Sequence, residues 1–326
     1  MYDYIDDYAT GKKLRATPEE IEARQVFERR LVEEYGYSKD QIDINFMIQK
    51  GSTKIGPADI VVFRDNKKVF DNIYMIVETK RKARKDGIDQ LKTYLAPSPG
   101  EGGAWFNGRE VAYLRVKRKP PDYSPIFVDW RNIPKKLESW DEIGIFKTVD
   151  ELTPAPNLQS IFKVVYYHLY TNSNLPRAER LGAEMTRLIF CKIYDELHNS
   201  KDLQFKAGAT ESDASVAERT KKLFKEVIDQ YGDVFETDEK LLLDDTSIAY
   251  VVSQLQDISL LNTDKDAVGD AFEIFIGPGL RGEKGEFFTP RNVVRMVVDM
   301  LDPEPSHKII DPACGSGGFL IVALEH

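Results

Sequence analysis

The chain has 326 residues, of which 42% are hydrophobic and 30% charged, with a formal net charge of -9. That length supports two or three domains with cores of their own, and no apolar run approaches the ~18 residues a membrane span needs. Two distant cysteines, Cys191 and Cys314, and an acidic start, MYDYIDDYAT, exclude a disulfide framework and a signal peptide, so a cytoplasmic protein is expected.

The first predicted element is a helix opened by TPEEIEARQVFERRLVEEYG. Thr17 can cap it, Pro18 suits its first position, Glu20 completes a capping box and Gly36 stops it. In IDINFMIQ, Ile42, Ile44, Phe46 and Ile48 alternate as in a half-buried strand. ADIVVFR and NIYMIVETK are short, nearly continuous apolar runs, as central strands buried on both faces would be. A helix follows over DGIDQLKTYL, and AWFNGREVAYLRV reads as a hairpin around Asn-Gly. These elements make one compact α/β unit. ELTPAPNL, with two prolines in five residues, marks a linker.

Beyond it the pattern turns helical. RAERLGAEMTRLIFCKIYDEL sets Leu181, Met185, Leu188, Ile189 and Ile193 on one stripe, and SVAERTKKLFKEVIDQY repeats the habit. The polar stretch between them, NSKDLQFKAGATESDAS, reads as a mobile loop. A last section carries GEFFTP, a helix after Thr289-Pro290, a short strand over Lys308–Ile310, and the glycine loop DPACGSGGFL leading into a final helix.

Two groups of residues carry chemistry. Asp59 starts one apolar strand; Glu78 ends the next, with Lys80 two residues on and therefore on the same face. Antiparallel pairing brings Asp59 to the same sheet end. Two carboxylates and a lysine there are costly unless a cation binds, and Mg²⁺, a hard oxygen-seeking ion, suits them, with Asp59 and Glu78 as ligands. The basic runs KRKARK (80–85) and RVKRK (115–119) offer phosphate contacts despite the acidic total. In the second group, Gly315, Gly317 and Gly318 permit a sharp turn into a helix whose N–H groups favour an anion.

GPAD and VETK together resemble the PD-(D/E)xK nucleases, with Ala58 where proline often precedes the aspartate. Gln90 and Tyr94 match the Q-x-x-x-Y spacing of the RecB-like branch, and residues 20–118 resemble the N-terminal domain of type I restriction endonuclease subunits. The resemblance implies catalytic roles for Asp59, Glu78, Lys80, Gln90 and Tyr94, and a further carboxylate from the first helix, Glu33 or Glu34. GEFFTP and DPACGSGGFL resemble the adenine-N6 DNA methyltransferases of type I systems. This implies an S-adenosylmethionine site walled by Phe288, Thr289 and Pro290 and looped by Asp311, Ala313, Gly315 and Gly317. The catalytic tetrapeptide Asn/Asp-Pro-Pro-Tyr/Phe does not occur, so methyl transfer is not expected of this stretch alone.

The expected architecture is α/β and multi-domain. A PD-(D/E)xK nuclease-like mixed sheet flanked by helices spans 1–152, a helical connector 153–263, and the truncated start of a Rossmann-like methyltransferase domain 264–326. The expected partners are double-stranded DNA and a specificity subunit or recognition domain, with no membrane. The leading expectation is a restriction-modification protein that cleaves DNA with Mg²⁺. The alternative is a modification subunit whose nuclease-like domain only binds DNA or docks.

Overall fold

The computed structural model describes residues 4–82, 84, 86–144, 148–175, 178–264, 267–269, 271, 274, 289, 291–314 and 317–326. The chain divides into two compact units, Met1–Phe275 and Ile276–His326.

In the first unit the acidic N-terminus, which suggested no element, forms an antiparallel hairpin of β1 (Tyr4–Asp6) and β2 (Lys13–Arg15). Helix α1 covers residues 18–34. Pro18, Glu19 and Gln25–Arg29 are α-helical; Glu20–Arg24 between them and Arg30–Glu34 at the end are π turns. Thr17 Oγ1 accepts the Glu20 N–H at 3.3 Å, but the Glu20 carboxylate turns to Arg24 instead of closing the capping box.

Six strands then build a mixed sheet in sequential order: β3 (Ile42–Lys50), β4 (Thr53–Phe63), β5 (Ile73–Thr79), β6 (Gly102–Phe106), β7 (Val111–Arg118) and β8 (Pro125–Trp130). All neighbours pair antiparallel except β5 and β6, which are parallel because helix α2 (Gly87–Leu95) crosses between them. Both faces are covered, which accounts for the continuous apolar runs of β4 and β5. On one face, Phe27 and Leu31 of α1 pack on Ile60, Val62, Val77 and Phe106. On the other, Leu91, Tyr94 and Leu95 of α2 pack on Val61, Ile76, Trp105 and Leu114.

The expected linker is instead tied down. Thr153–Pro154 (β9) pairs in parallel with Ile258–Ser259 (β10), and Ala155 N–H donates to Thr263 Oγ1 at 2.8 Å. Proline content predicted an open connection, but these backbone groups found partners 100 residues away in sequence. Helices α3 (Leu158–Asn172), α4 (Ala178–His198), α5 (Asp213–Gln230) and α6 (Asp245–Leu255) follow. Leu181, Met185, Leu188 and Ile189 lie in their core as the stripe predicts, with Ile193 packed against it. The polar stretch after α4 is not a free loop. Leu203, Phe205 and Ala207 are buried, and the Asp195 carboxylate accepts the N–H groups of Gln204 and Phe205 at 3.1 and 2.7 Å. A buried carboxylate gathers a segment that composition alone marks as polar.

In the second unit, α7 (Arg291–Leu301) and α8 (Gly318–Glu325) pack through Val294, Val298 and Val322. The strand expected at Lys308–Ile310 is absent. Those residues have no regular structure, and the Ile310 side chain is 87% exposed. A strand exists only when a neighbour pairs with it, and among the described residues of this unit there is none. No helix among the described residues is long and apolar enough to cross a membrane.

Candidate active site

Asp59 and Glu78 face each other across β4 and β5. Ile60 pairs with Val77, so one step further Asp59 stands opposite Glu78. The side chains of Glu78 and Lys80 share the α2 face, since residues two apart on a strand point the same way, whereas Asp59 reaches Thr79 and Arg24 of α1. The Lys80 N–H continues the sheet by donating to Phe106 O at 2.9 Å, so the residue after β5 is still held in strand register.

The carboxylates are wired differently. Asp59 Oδ2 accepts the Thr79 N–H at 2.7 Å and Thr79 Oγ1 at 3.0 Å, while Oδ1 accepts Arg24 Nη2 at 2.7 Å. Glu78 is fully buried; its Oε1 accepts Lys80 Nζ at 2.5 Å, and its Oε2 is buried without a partner. Burial, reinforced by the charge of Asp59, pushes the Glu78 carboxyl up to about 8. Burial acts to lower Lys80, but the bond to Glu78 and the surrounding carboxylates outweigh it and leave the ammonium above its ordinary value.

The first helix supplies a carboxylate, though not the expected one. Glu33 Oε1 accepts Tyr8 Oη at 3.0 Å and Glu34 Oε2 accepts Arg30 Nε at 2.8 Å, so neither Glu33 nor Glu34 joins the group. Glu20 does. Its Oε1 lies 3.1 Å from Arg24 Nη1, the same guanidinium that holds Asp59, and its Oε2 is buried without a partner. Burial raises the Glu20 carboxyl, Arg24 opposes that, and the negative charge of Asp59 adds to it. The signal that pointed away from Glu20 was its spacing from Thr17, which fits a cap.

Gln90 and Tyr94 lie one turn apart on α2, and Gln90 Nε2 donates to Tyr94 Oη at 2.9 Å. Burial raises the phenol, and the charges of Glu78 and Asp59 reach it. Among the described residues, neither makes a hydrogen bond to Asp59, Glu78 or Lys80, so the pair flanks the acidic group rather than entering it. The start of α2 is pressed against the site. A Cβ on Gly87 would overlap the Trp105 indole and come within 3.0 Å of Lys80 Cγ. Gly87→Ala is expected to cost about 1–3 kcal/mol of stability through overpacking, checked by urea unfolding with Trp fluorescence.

The basic runs are largely paired within the chain. Lys82 lies 2.6 Å from Glu22 and Arg81 3.9 Å from Glu19, and Arg84 pairs with Asp86; Lys85 lies outside the described residues. Arg115 reaches Glu101 at 2.9 Å, and Arg118 donates to the carbonyls of Leu95, Ser98 and Gly100. Among the described residues no three His, Cys, Asp or Glu side chains stand ready as a metal cage. The buried, partnerless Glu78 Oε2 beside Asp59 nevertheless fits a divalent cation, which would satisfy both carboxylates at once.

Of the second predicted group, Phe288, Pro290 and Gly315 lie outside the described residues. Thr289 precedes α7 and is exposed. Asp311 Oδ1 accepts the Ala313 N–H at 3.0 Å, and Gly317, at φ +80, caps α8 with open space where a Cβ would stand. A left-handed residue at this point suits glycine, and the first N–H groups of the helix have no acceptor within it.

Comparison with known proteins separates the chain along the same lines. Residues 18–134 match the family described as type I restriction enzyme R protein N terminus, and residues 263–326 match the N-6 DNA methylase family. Over 83 residues the chain is 39% identical to the type I restriction enzyme EcoEI methylase subunit of Escherichia coli, covering 25% of this chain and 17% of that protein. Over 88 residues it is 39% identical to the MjaIX methylase subunit of Methanocaldococcus jannaschii, covering 26% and 16%. The HindI methylase subunit of Haemophilus influenzae is 40% identical over 60 residues, covering 18% and 13%. The chain thus spans about one sixth of the length of the first two relatives. On one polypeptide, therefore, a stretch that matches the type I restriction enzyme R protein N-terminus family precedes a stretch that matches the N-6 DNA methylase family.

Proposed function

We propose that this is part of a restriction-modification protein whose N-terminal region, a PD-(D/E)xK nuclease-like module over 1–152, cleaves double-stranded DNA with Mg²⁺. The observation that carries the reading is the meeting of Asp59, Glu78 and Lys80 at one sheet end, with Glu78 Oε2 buried and partnerless. Asp59 and Glu78 would hold the ion; Glu20, on the far side of Arg24, adds negative charge nearby. When bound, the ion supplies an acidified water and neutralises charge on the phosphate. Thr79 fixes the Asp59 carboxylate through two hydrogen bonds to Oδ2, and Arg24 holds Oδ1. Once Glu78 is ionised, Lys80 is held beside it as a charged donor, placed to orient a water or to meet charge developing on the phosphate. Gln90 and Tyr94 brace the α2 wall.

Residues 153–263 act in this reading as a helical connector, and 264–326 as the start of a Rossmann-like, adenine-N6 methyltransferase domain that uses S-adenosylmethionine. Thr289, Asp311, Ala313 and Gly317, with Phe288, Pro290 and Gly315, would line the cofactor loop. The open left-handed turn at Gly317 supports this role. A specificity subunit or recognition domain would supply the target sequence. The test is Mg²⁺-dependent cleavage or nicking of plasmid DNA by the chain beside Lys80→Ala. A loss of ~10²-fold or more is expected from removing a transition-state charge partner, and equal activity in both would sink the assigned site.

A second reading, in which the nuclease-like module only docks or binds DNA, is favoured by one observation: Arg24 already neutralises Asp59. A calorimetric Mg²⁺ titration decides between the two. Binding that disappears in Asp59→Asn supports the nuclease; no binding supports docking.

A further inference from the structure

Arg24 is 4% exposed and reaches three partners. Its Nη2 lies 2.7 Å from Asp59 Oδ1, and its Nη1 lies 3.1 Å from Glu20 Oε1 and 3.3 Å from Asn45 Oδ1. The guanidinium is thus a fixed positive charge at the point where the strand carboxylate and the helix carboxylate would otherwise meet. The backbone is shaped around it. Asn45, inside β3, takes φ +54, a left-handed conformation that is costly for a non-glycine residue and that Asn tolerates better than most. The β3–β4 register shifts just beyond, between Phe46 and Ile48. The distortion accompanies an Asn45 side chain aimed at Arg24.

Charge balance points the same way. With the carboxylates ionised, Asp59, Glu20 and Glu78 carry three negative charges against the two positive charges of Arg24 and Lys80. One divalent ion more than neutralises the remainder, and a second would meet a net positive site. Removal of Arg24 leaves Glu20 and Asp59 facing each other with no counter-charge, and Glu20 Oε2 is already buried without a partner.

We infer that Arg24 stands in for a second divalent cation on the Glu20 side of the site, so that the chain takes one ion, between Asp59 and Glu78, where an arginine-free site would take two. This rests on the metal-site reading proposed above. The test counts bound Mn²⁺ by electron paramagnetic resonance on the 326-residue chain, with circular dichroism and melting to verify folding. One ion per chain is expected for the wild type, two for Arg24→Gln, and one for Arg24→Lys, whose ammonium keeps the charge. A folded Arg24→Gln that binds one ion overturns the inference and leaves the metal reading intact. Should Arg24→Gln not fold, Glu20→Gln with Arg24 in place carries the test. Retention of one ion supports the inference, and loss of that ion overturns it by making Glu20 a ligand of the first ion. A wild-type chain that binds no Mn²⁺, or binds it equally well after Glu78→Gln, sinks both readings.

Discussion

Glu78→Gln is expected to make the metal-free protein more stable at pH 8 while abolishing divalent-cation binding and any Mg²⁺-dependent DNA cleavage. The native carboxyl is pushed up to about 8 by burial and by Asp59, whereas in the unfolded chain it titrates near its ordinary value of 4.5. Between those values the folded protein holds a proton that the unfolded chain has released, so stability falls as pH rises through the interval. Glutamine reproduces the protonated form and does not titrate. The variant should therefore match the wild type near pH 4 and exceed it by on the order of 4 kcal/mol at pH 8. Urea unfolding across pH, without and with EDTA, measures this. A Glu78→Gln protein that is less stable than wild type at pH 8 would mean that the Lys80 ion pair, rather than the buried charge, dominates. Added Mg²⁺ should stabilise the wild type at pH 8 and leave the variant unchanged, because a ligand that binds only the native state shifts its stability.

The second large effect lies far from that site. Glu196 is buried on α4 and serves four partners. Its Oε1 accepts the Leu260 N–H at 3.0 Å and pairs with Lys192 Nζ at 3.3 Å; its Oε2 accepts Ser259 Oγ at 2.8 Å and the Leu261 N–H at 3.3 Å. Lys192 is fully buried as well, and burial pulls its ammonium below the ordinary range against the opposing charge of Glu196. Glu196→Ala leaves a buried ammonium without its counter-charge and two backbone N–H groups and the Ser259 hydroxyl without their acceptor. A broken buried pair costs about 3–5 kcal/mol, a large part of the stability of an ordinary domain. Guanidinium unfolding followed by circular dichroism should show that loss. The double variant Lys192→Met with Glu196→Gln should recover most of it, because the buried ammonium is gone and the amide oxygen still accepts from the chain around β10. Failure of the double variant to recover would assign the loss to the Ser259–Leu261 contacts instead.

How far the sequence carried these conclusions differs residue by residue. Asp59, Glu78 and Lys80 were legible because a strand has period two and a hairpin reverses direction, so their spacing alone places them together. The helix–strand order and the Asn107-Gly108 turn were legible for the same local reasons. Strand β8 went unread because it begins at Pro125 and alternates weakly, as sheet-edge strands do. The β9–β10 pairing and the Asp195-anchored segment went unread because their partners are far along the chain, and local composition carries no record of them. Arg24 and Glu20 were hidden by a different cause, the geometry of α1.

A π turn accommodates one residue more than the α turn it replaces, and each α-helical residue advances the helix by roughly 100°. The π turn at Glu20–Arg24 therefore resets the phase of everything that precedes it relative to Phe27 and Leu31, which face the sheet. Deleting Ile21 would let the segment relax to an ordinary helix and carry Glu20 about a quarter turn away from Asp59 without changing any residue that a motif search examines. Two relatives with identical GPAD and VETK segments can accordingly differ in whether the helix contributes a carboxylate, and the length of the stretch between Thr17 and Phe27, rather than its composition, is the feature to compare.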